Sequence, residues 1–165
     1  MASFIKIKVM DSLRAAGELY YQLVLLVGEN GTGKTAVLQE LATEFGASVN
    51  NLNLDLSVQM LELTARQRIQ RLPSLLDQVV RSTQPVIILD NIEILFDKSL
   101  AVDPLRLLQG VARNHLVLAA WNGNTDGKTL VYADPDHLEY RKYDAPDALI
   151  VSMNNWASID HAAQR

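Results

Sequence analysis

The chain of 165 residues reads as an α/β domain, with a mainly parallel sheet between two layers of helices. Three observations predict this. The nearly continuous apolar runs Leu19–Val27 and Val86–Leu89 have the pattern of strands buried on both faces. Amphipathic helical periodicity fills the intervals between such runs. Up to residue 124 the order is strand, helix, strand, helix, strand, helix, strand. That order calls for right-handed crossovers and a sheet covered on both sides.

The elements follow in sequence. Ile5, Val9, Leu13 and Ala16 recur every three to four positions, so residues 1–18 are expected to form an N-terminal helix. The first strand, Leu19–Val27, stops at Gly28. Thr35–Phe45 carries Val37, Leu38, Leu41, Ala42 and Phe45 at helical spacing, and Gly46 follows as a C-terminal stop. Residues 47–54 alternate Val49, Leu52 and Leu54 with asparagines and are read as a second strand. Val58 to Ser82 is helical again, with a break expected at Pro73, where a helix interior would lose a hydrogen bond and clash.

Pro85 opens Val86-Ile87-Ile88-Leu89-Asp90, a central strand closing on an acid. Residues 103–113 read as a helix starting at Asp103 with Pro104 in its first turn. His115–Trp121 is a further strand, ended by Asn122-Gly123-Asn124. Thr129–Ala133 and Glu139–Tyr143 flank the turn Asp134-Pro135-Asp136 and suggest a hairpin. Leu149–Met153 reads as a last strand. The domain is therefore placed at 19–153, followed by a polar tail at 154–165.

Composition limits the function classes. With 48% hydrophobic residues the chain can bury a core of its own, and at 165 residues it fits one domain. A net charge of −4 gives no global attraction to DNA or membranes, so any DNA contact needs a local patch. Cysteine is absent, which removes disulfides, thiolate metal sites and thiol nucleophiles. His115, His137 and His161 are far apart and lack metal-ligand spacing. Lys6 and Lys8 are not followed by a signal-type apolar run, and no stretch approaches the ~20 residues of a membrane span, so a cytoplasmic location is expected.

The motif that carries chemistry is Gly28-Glu29-Asn30-Gly31-Thr32-Gly33-Lys34-Thr35, which fits G-x-x-x-x-G-K-[ST] between an apolar strand and an amphipathic helix. Glycines let such a loop turn its backbone N–H groups inward onto phosphate oxygens at the positive end of the next helix. Residues 28–35 with Ala36 are thus expected to hold the phosphates of ATP or GTP, with Lys34 on the β- and γ-phosphates and the Thr35 hydroxyl on Mg2+. Asp90, at the C-terminal end of a central strand, faces the crevice where ligands bind and would hold the metal through water, or else merely caps a turn.

Catalysis rests on fewer signals. Many additional-strand P-loop ATPases carry a glutamate directly after this aspartate, whereas this chain has Asn91. Glu93 is the substitute: in an extended strand residues 91 and 93 project to the same side about 6.6 Å apart. Its plain alternative is a solvated first-turn residue of a following helix. Asn122 is placed like a polar γ-phosphate sensor, or it is a turn residue beside Gly123. Glu29 is read as solvent-facing. Arg113 and Arg141 are candidates for an arginine acting in trans, or ordinary surface residues. Arg66, Arg68, Arg71 and Arg81 form a basic cluster that suits a solvated helix face or a phosphate-backbone contact.

Several segments together are more selective than the loop alone. Leu19–Lys34 (LYYQLVLLVGENGTGK), Ile87–Phe96 (IILDNIEILF), Asp103–Gly123 (DPLRLLQGVARNHLVLAAWNG), and Glu139–Tyr143 with Pro146-Asp147 resemble the BrxF family, small P-loop proteins of BREX type 3 phage-exclusion systems. The resemblance covers residues 15–152. It implies a role in antiviral defence beside a larger ATPase, a DNA methyltransferase, a helicase and a phosphatase-like protein. More distantly the chain is similar to AAA-type ATPases, from which it departs at Asn91, in lacking a helical lid domain after residue 153, and in having no arginine at an obvious finger position.

The expectation is a three-layer P-loop NTPase fold, an AAA-like core without a lid domain. It would bind ATP with Mg2+ and hydrolyse it slowly within a homo-oligomer, whose assembly could respond to nucleotide, or within a defence complex. Lys34, Glu93 and Asn122 would carry the chemistry. One rival reading is an assembly subunit that binds nucleotide without turnover. Another is a small-molecule kinase gripping its acceptor through Asp55 at the end of the second strand, although the arginine-rich lid of such kinases is missing.

Overall fold

The computed structural model describes residues 2–80 and 83–154. Five strands form a parallel sheet in the order β2-β3-β4-β1-β7. In chain order the elements begin with α1 (Ala2–Ala16), β1 (Leu23–Gly28), α2 (Lys34–Phe45), β2 (Val49–Asn51), α3 (Leu52–Met60) and α4 (Ala65–Val80). They continue with β3 (Ile87–Asp90), α5 (Pro104–Val111), β4 (Val117–Thr125), β5 (Thr129–Tyr132), β6 (Arg141–Asp144) and β7 (Leu149–Ser152). No described helix is long and apolar enough to cross a membrane.

Alternation along the strands divides the core in two. Leu23, Leu25 and Val27 of β1 join Ile87, Leu89, Val117 and Ala119 beneath α3, α4 and α5. Val24 and Leu26 join Ile88 and Leu118 beneath α1 and α2. Helices thus cover both faces, which is why every residue of β1 and β3 is buried and why these runs read as continuously apolar. Ile5, Val9, Leu13 and Ala16 of α1 belong to this second half of the core.

Several boundaries differ from the sequence reading, each for a local reason. Leu19 to Gln22 lie outside β1: the Leu19 N–H bonds back to the Ala16 carbonyl at 3.0 Å and continues the turn after α1. The second strand is short because the Asn51 side chain accepts from the Leu54 N–H at 3.1 Å and caps α3. Asp55 therefore sits in the first turn of α3 rather than at a strand end. The helix break falls at residues 61–64 and not at Pro73. There Thr64 and Gln67 form a reciprocal capping box at 3.0 and 3.2 Å. Helix α4 runs through Pro73 on its exposed side, held by the buried Leu72, Leu75, Leu76 and Val80.

β4 does not end at Asn122-Gly123-Asn124. It continues to Thr125 and pairs antiparallel with β5, Gly123 opposite Tyr132. A Cβ on Gly123 would lie 1.8 Å from the Val131 carbonyl oxygen, so glycine is what admits the neighbouring strand. β5 and β6 then form the hairpin expected around Asp134-Pro135-Asp136. It is anchored by aromatic rings. Phe96 stacks on Tyr132, Trp121 meets Phe96, Tyr132 and Tyr143 edge-on, and the Trp121 indole N–H donates to the Val131 carbonyl at 3.1 Å. The polar tail read at 154–165 lies, after Asn154, outside the described residues.

The β4–β5 turn contains an acid that titrates usefully. The Asp126 carboxylate accepts from the N–H groups of Thr129 and Lys128 and from the Thr129 hydroxyl, at 2.8 to 2.9 Å. These bonds hold its pKa down to about 2, from the ordinary 3.8. A carboxyl depressed in the folded state stabilises it above the unfolded value and loses that contribution as pH falls. Asp126→Asn is therefore expected to destabilise the protein by a constant amount at neutral pH. The difference from wild type should shrink as pH falls below 3.8 and be lost only as pH passes below about 2, as measured by urea denaturation across that range.

Candidate functional site

Among the described residues, Lys34 and Asp90 are the only buried charged side chains, each 6% exposed, and both lie at the C-terminal edge of the sheet. Buried charges are rare unless paired or used. The strand order explains how they come together. β4 lies between β1, which leads into the loop, and β3, which ends on Asp90. In the parallel register Asn122 stands level with Gly28.

The loop is shaped by its glycines and one threonine. Gly31 and Gly33 have φ of 85° and 93°, the left-handed region where a side chain is strained. The Thr32 hydroxyl donates to the Glu29 carbonyl at 2.7 Å and closes the turn. A Cβ on Gly28 would meet the Thr32 hydroxyl at 2.6 Å and the Met153 side chain at 2.8 Å, so the loop packs directly against the end of β7. Gly33 is followed at once by α2, so its unpaired first-turn N–H groups and positive dipole end border the loop.

Lys34 folds back over this loop. Its Nζ donates to the carbonyls of Gly28 at 2.6 Å and Glu29 at 2.8 Å. Burial pulls the ammonium below its ordinary pKa, while the charges of Asp90, Glu93 and Glu29 oppose that shift. The Thr35 hydroxyl donates to Asp90 Oδ2 at 2.7 Å, and Asp90 Oδ1 accepts from the Asn91 N–H at 2.9 Å. A hydroxyl and a carboxylate held this close are hard oxygen donors of the kind magnesium takes. Ala36 is exposed in the first turn of α2, next to this pair.

Glu93 reaches the cleft by a route other than the extended one. β3 ends at Asp90, and Asn91 takes a left-handed φ of 53°, so residues 91 and 93 do not project together from a strand. The turn carries the chain into a 3-10 segment, Glu93–Phe96, and Glu93 is its first residue. It is half-buried and not solvated. Glu93 Oε1 accepts from the Asn122 amide, and Oε2 accepts from Asn53 Nδ2 at 3.4 Å. Asn122 lies within β4, not in a turn. These groups line one open cleft of about 330 Å³, with Asn30, Gly31, Gly33, Lys34, Thr35 and Asp90 on the loop side and Asn91, Glu93 and Asn122 opposite.

Asn53 escaped the sequence reading. Its N–H donates to the Asn91 carbonyl at 2.9 Å, and its Oδ1 accepts from the Ile94 N–H at 2.7 Å, so the start of α3 is tied to the turn that carries Glu93. The asparagine-rich run 50–53 was the available signal, but a strand reading hid it. Other candidates lie elsewhere. Glu29 is exposed, and its carboxylate takes a 3.4 Å contact from Asn124. The guanidinium of Arg113 rests 4.3 Å over the Tyr20 ring, just before the start of β4, at the edge of the sheet away from the loop. Arg141 is committed to the Val102 carbonyl at 2.9 Å. Arg68 caps the Met60 carbonyl of α3 at 3.1 Å, Arg66 and Arg71 are exposed, and Arg81 lies outside the described residues.

A family model described as "ATPase family associated with various cellular activities (AAA)" matches residues 24–122. That span runs from β1 through Asn122. Among curated proteins none matches the chain. Similar solved structures include AMPPCP-bound DnaA from Aquifex aeolicus, at 16% identity, covering 94% of this chain and 48% of that one, with a TM-score of 0.42. C. elegans PCH-2 is similar at 18% identity, covering 99% and 46%, with a TM-score of 0.38. The chain therefore spans about half the length of these structures.

The left-handed turn at Asn91 can be tested by stability. Asn91→Ala is expected to cost about 1 kcal/mol, since alanine keeps the Cβ that strains a left-handed residue but lacks the short polar side chain that makes asparagine tolerant of that region. Asn91→Gly should cost less than Asn91→Ala despite removing more of the side chain, an order that denaturant titration of both variants checks.

Proposed function

The chain belongs to the AAA ATPase family, and from that premise we propose that it is a magnesium-dependent ATP-binding protein that hydrolyses ATP slowly as part of an antiviral BREX defence complex. The observation that supports this most directly is the pairing of the two buried charges with the loop. Lys34 and Asp90 are costly to keep out of water, yet both converge on the cleft that the loop glycines and the start of α2 border. The defence role rests on the resemblance of residues 15–152 to the BrxF family, with a larger ATPase among the proposed partners.

Each residue has a task in this reading. The N–H groups of residues 29–35 and the dipole of α2 bind the β- and γ-phosphates, with Ala36 beside the α-phosphate. Lys34 exchanges the carbonyls of Gly28 and Glu29 for phosphate oxygens, a better partner for an ammonium. The Thr35 hydroxyl and Asp90, already joined by a hydrogen bond, are the residues that would hold a magnesium ion. Magnesium bound there would neutralise developing charge on the phosphates. Glu93 orients the attacking water and accepts its proton, and Asn122 senses the γ-phosphate. Arg113 lies at the opposite edge of the sheet from its own site, so it would act only in trans, on the site of another subunit.

A second reading, a nucleotide-gated assembly subunit without turnover, is favoured by the state of Glu93. Both its oxygens are engaged by Asn53 and Asn122, so the carboxylate has to leave these partners before it can reach a water in the cleft. The kinase reading loses its support, because Asp55 belongs to the first turn of α3.

Lys34→Ala is expected to weaken ATP binding roughly 10- to 100-fold while leaving the fold intact, given what one charge-assisted contact contributes. Equal ATP affinity in both proteins by calorimetry would remove the loop assignment. Glu93→Gln should bind ATP as wild type does but release phosphate about 10²-fold more slowly or worse. Bound ATP that stays intact for hours in the wild-type protein selects the non-hydrolysing reading.

A further inference from the structure

The phosphate loop between β1 and α2 is shaped largely from within. Thr32 bonds back to Glu29, and Lys34 to Gly28 and Glu29, while from outside Asn124 reaches the exposed Glu29 carboxylate and Asp90 takes the Thr35 hydroxyl. Under the nucleotide reading above, on which this inference rests, Lys34 exchanges its two carbonyls for phosphate oxygens. The loop then loses its charged internal ties just as its N–H groups must converge on a ligand. Packing has to take over.

One side chain lies where that packing is needed. Met153 follows β7, and its N–H donates to the Val27 carbonyl at 2.7 Å, which carries the β7 pairing up to the residue before Gly28. Its side chain is half-buried against the core beneath α1 and α2 and does not line the cleft that Lys34, Asp90 and Glu93 share. A Cβ on Gly28 would lie 2.8 Å from Met153 Cγ and one on Gly33 would lie 4.0 Å from Met153 Cε, whereas one on Gly31 would meet nothing within 4 Å. Both ends of the loop therefore rest on the same thioether, and its middle is open. An unbranched side chain with three rotatable bonds suits such an irregular gap.

We propose that Met153 is a positioning residue for phosphate binding: it touches no phosphate itself, but by bridging Gly28 and Gly33 it fixes the span over which the loop N–H groups converge. A loop held in its binding shape spares the complex the cost of ordering it. Because Met153 acts through the glycines, it serves ATP and tripolyphosphate alike, although the latter carries neither base nor sugar.

The test is calorimetry on the full chain with Mg2+, using ATP and inorganic tripolyphosphate as probes. Met153→Ala should weaken both roughly tenfold, given what ordering a few loop residues costs, while Met153→Leu, close in volume, should stay within about twofold of wild type. Val151→Ala, two residues earlier on the same strand, is the control. It truncates a buried side chain and should lower stability in urea at least as much as Met153→Ala, yet leave both affinities within about twofold; Leu149→Ala takes its place if that variant does not fold. Gly28→Ala should lose less affinity beside Met153→Ala than in wild type, because the 2.8 Å contact is gone. Wild type that takes up neither probe removes the nucleotide reading and this inference with it. Equal affinities in wild type and Met153→Ala remove the role of Met153 alone, and so does an equal loss in the control, which would mark a general loss of packing. A loss confined to ATP, or wild type that ignores tripolyphosphate at millimolar concentration while taking ATP, would place Met153 against the base or sugar and overturns the proposal.

Discussion

Keeping Lys34 and Asp90 out of water at one edge of a parallel sheet is the constraint on which the rest of the structure depends. Neither charge would be tolerated there alone. Lys34 is made bearable by two loop carbonyls, and Asp90 by the Thr35 hydroxyl and the Asn91 amide. Those partners exist only because β1, β4 and β3 lie side by side and run parallel, so that the loop after β1 and the end of β3 share one edge. The apolar core serves this arrangement: leucine, isoleucine and valine on both faces of the strands fix their order, and the order places the charges.

The departures from a plain layered fold gather at the same edge. β4 runs on past the sheet into the hairpin, which requires glycine at position 123, and the rings of Phe96, Trp121, Tyr132 and Tyr143 lock that hairpin against the 3-10 segment carrying Glu93. The Tyr143 hydroxyl extends the lock by donating to Asp103, the cap of α5, at 2.9 Å. Burial and that carboxylate raise the Tyr143 pKa, so the phenol stays a donor at any physiological pH. The Asn122 amide thus meets Glu93 on a surface braced from behind, as the sensing role proposed for it would require.

Much of the fold was legible because burial on both faces leaves a strong mark. Runs such as Leu23–Val27 and Ile87–Leu89 have no other comfortable place than the middle of a covered sheet, and the loop between Gly28 and Thr35 has few purposes outside phosphate binding. Short polar elements left weaker marks. Three asparagines, Asn50, Asn51 and Asn53, serve respectively as a strand residue, a helix cap and the clamp on Glu93, yet they look alike in sequence. The capping box at Thr64 and Gln67 was visible but was overshadowed by Pro73, whose cost is outweighed by the buried leucines of the same helix.

The sequence by itself determined the class of the fold, the loop, and the identity of Lys34, Thr35 and Asp90, because each follows from local spacing and from which residues shun water. Tertiary structure alone decided that Glu93 arrives through a left-handed turn at Asn91, that Asn53 and Asn122 hold it, and that Arg113 and Arg141 are engaged elsewhere. Those contacts join residues up to 41 positions apart, and partner choice at that range is set by strand order and packing rather than by any local preference of the chain.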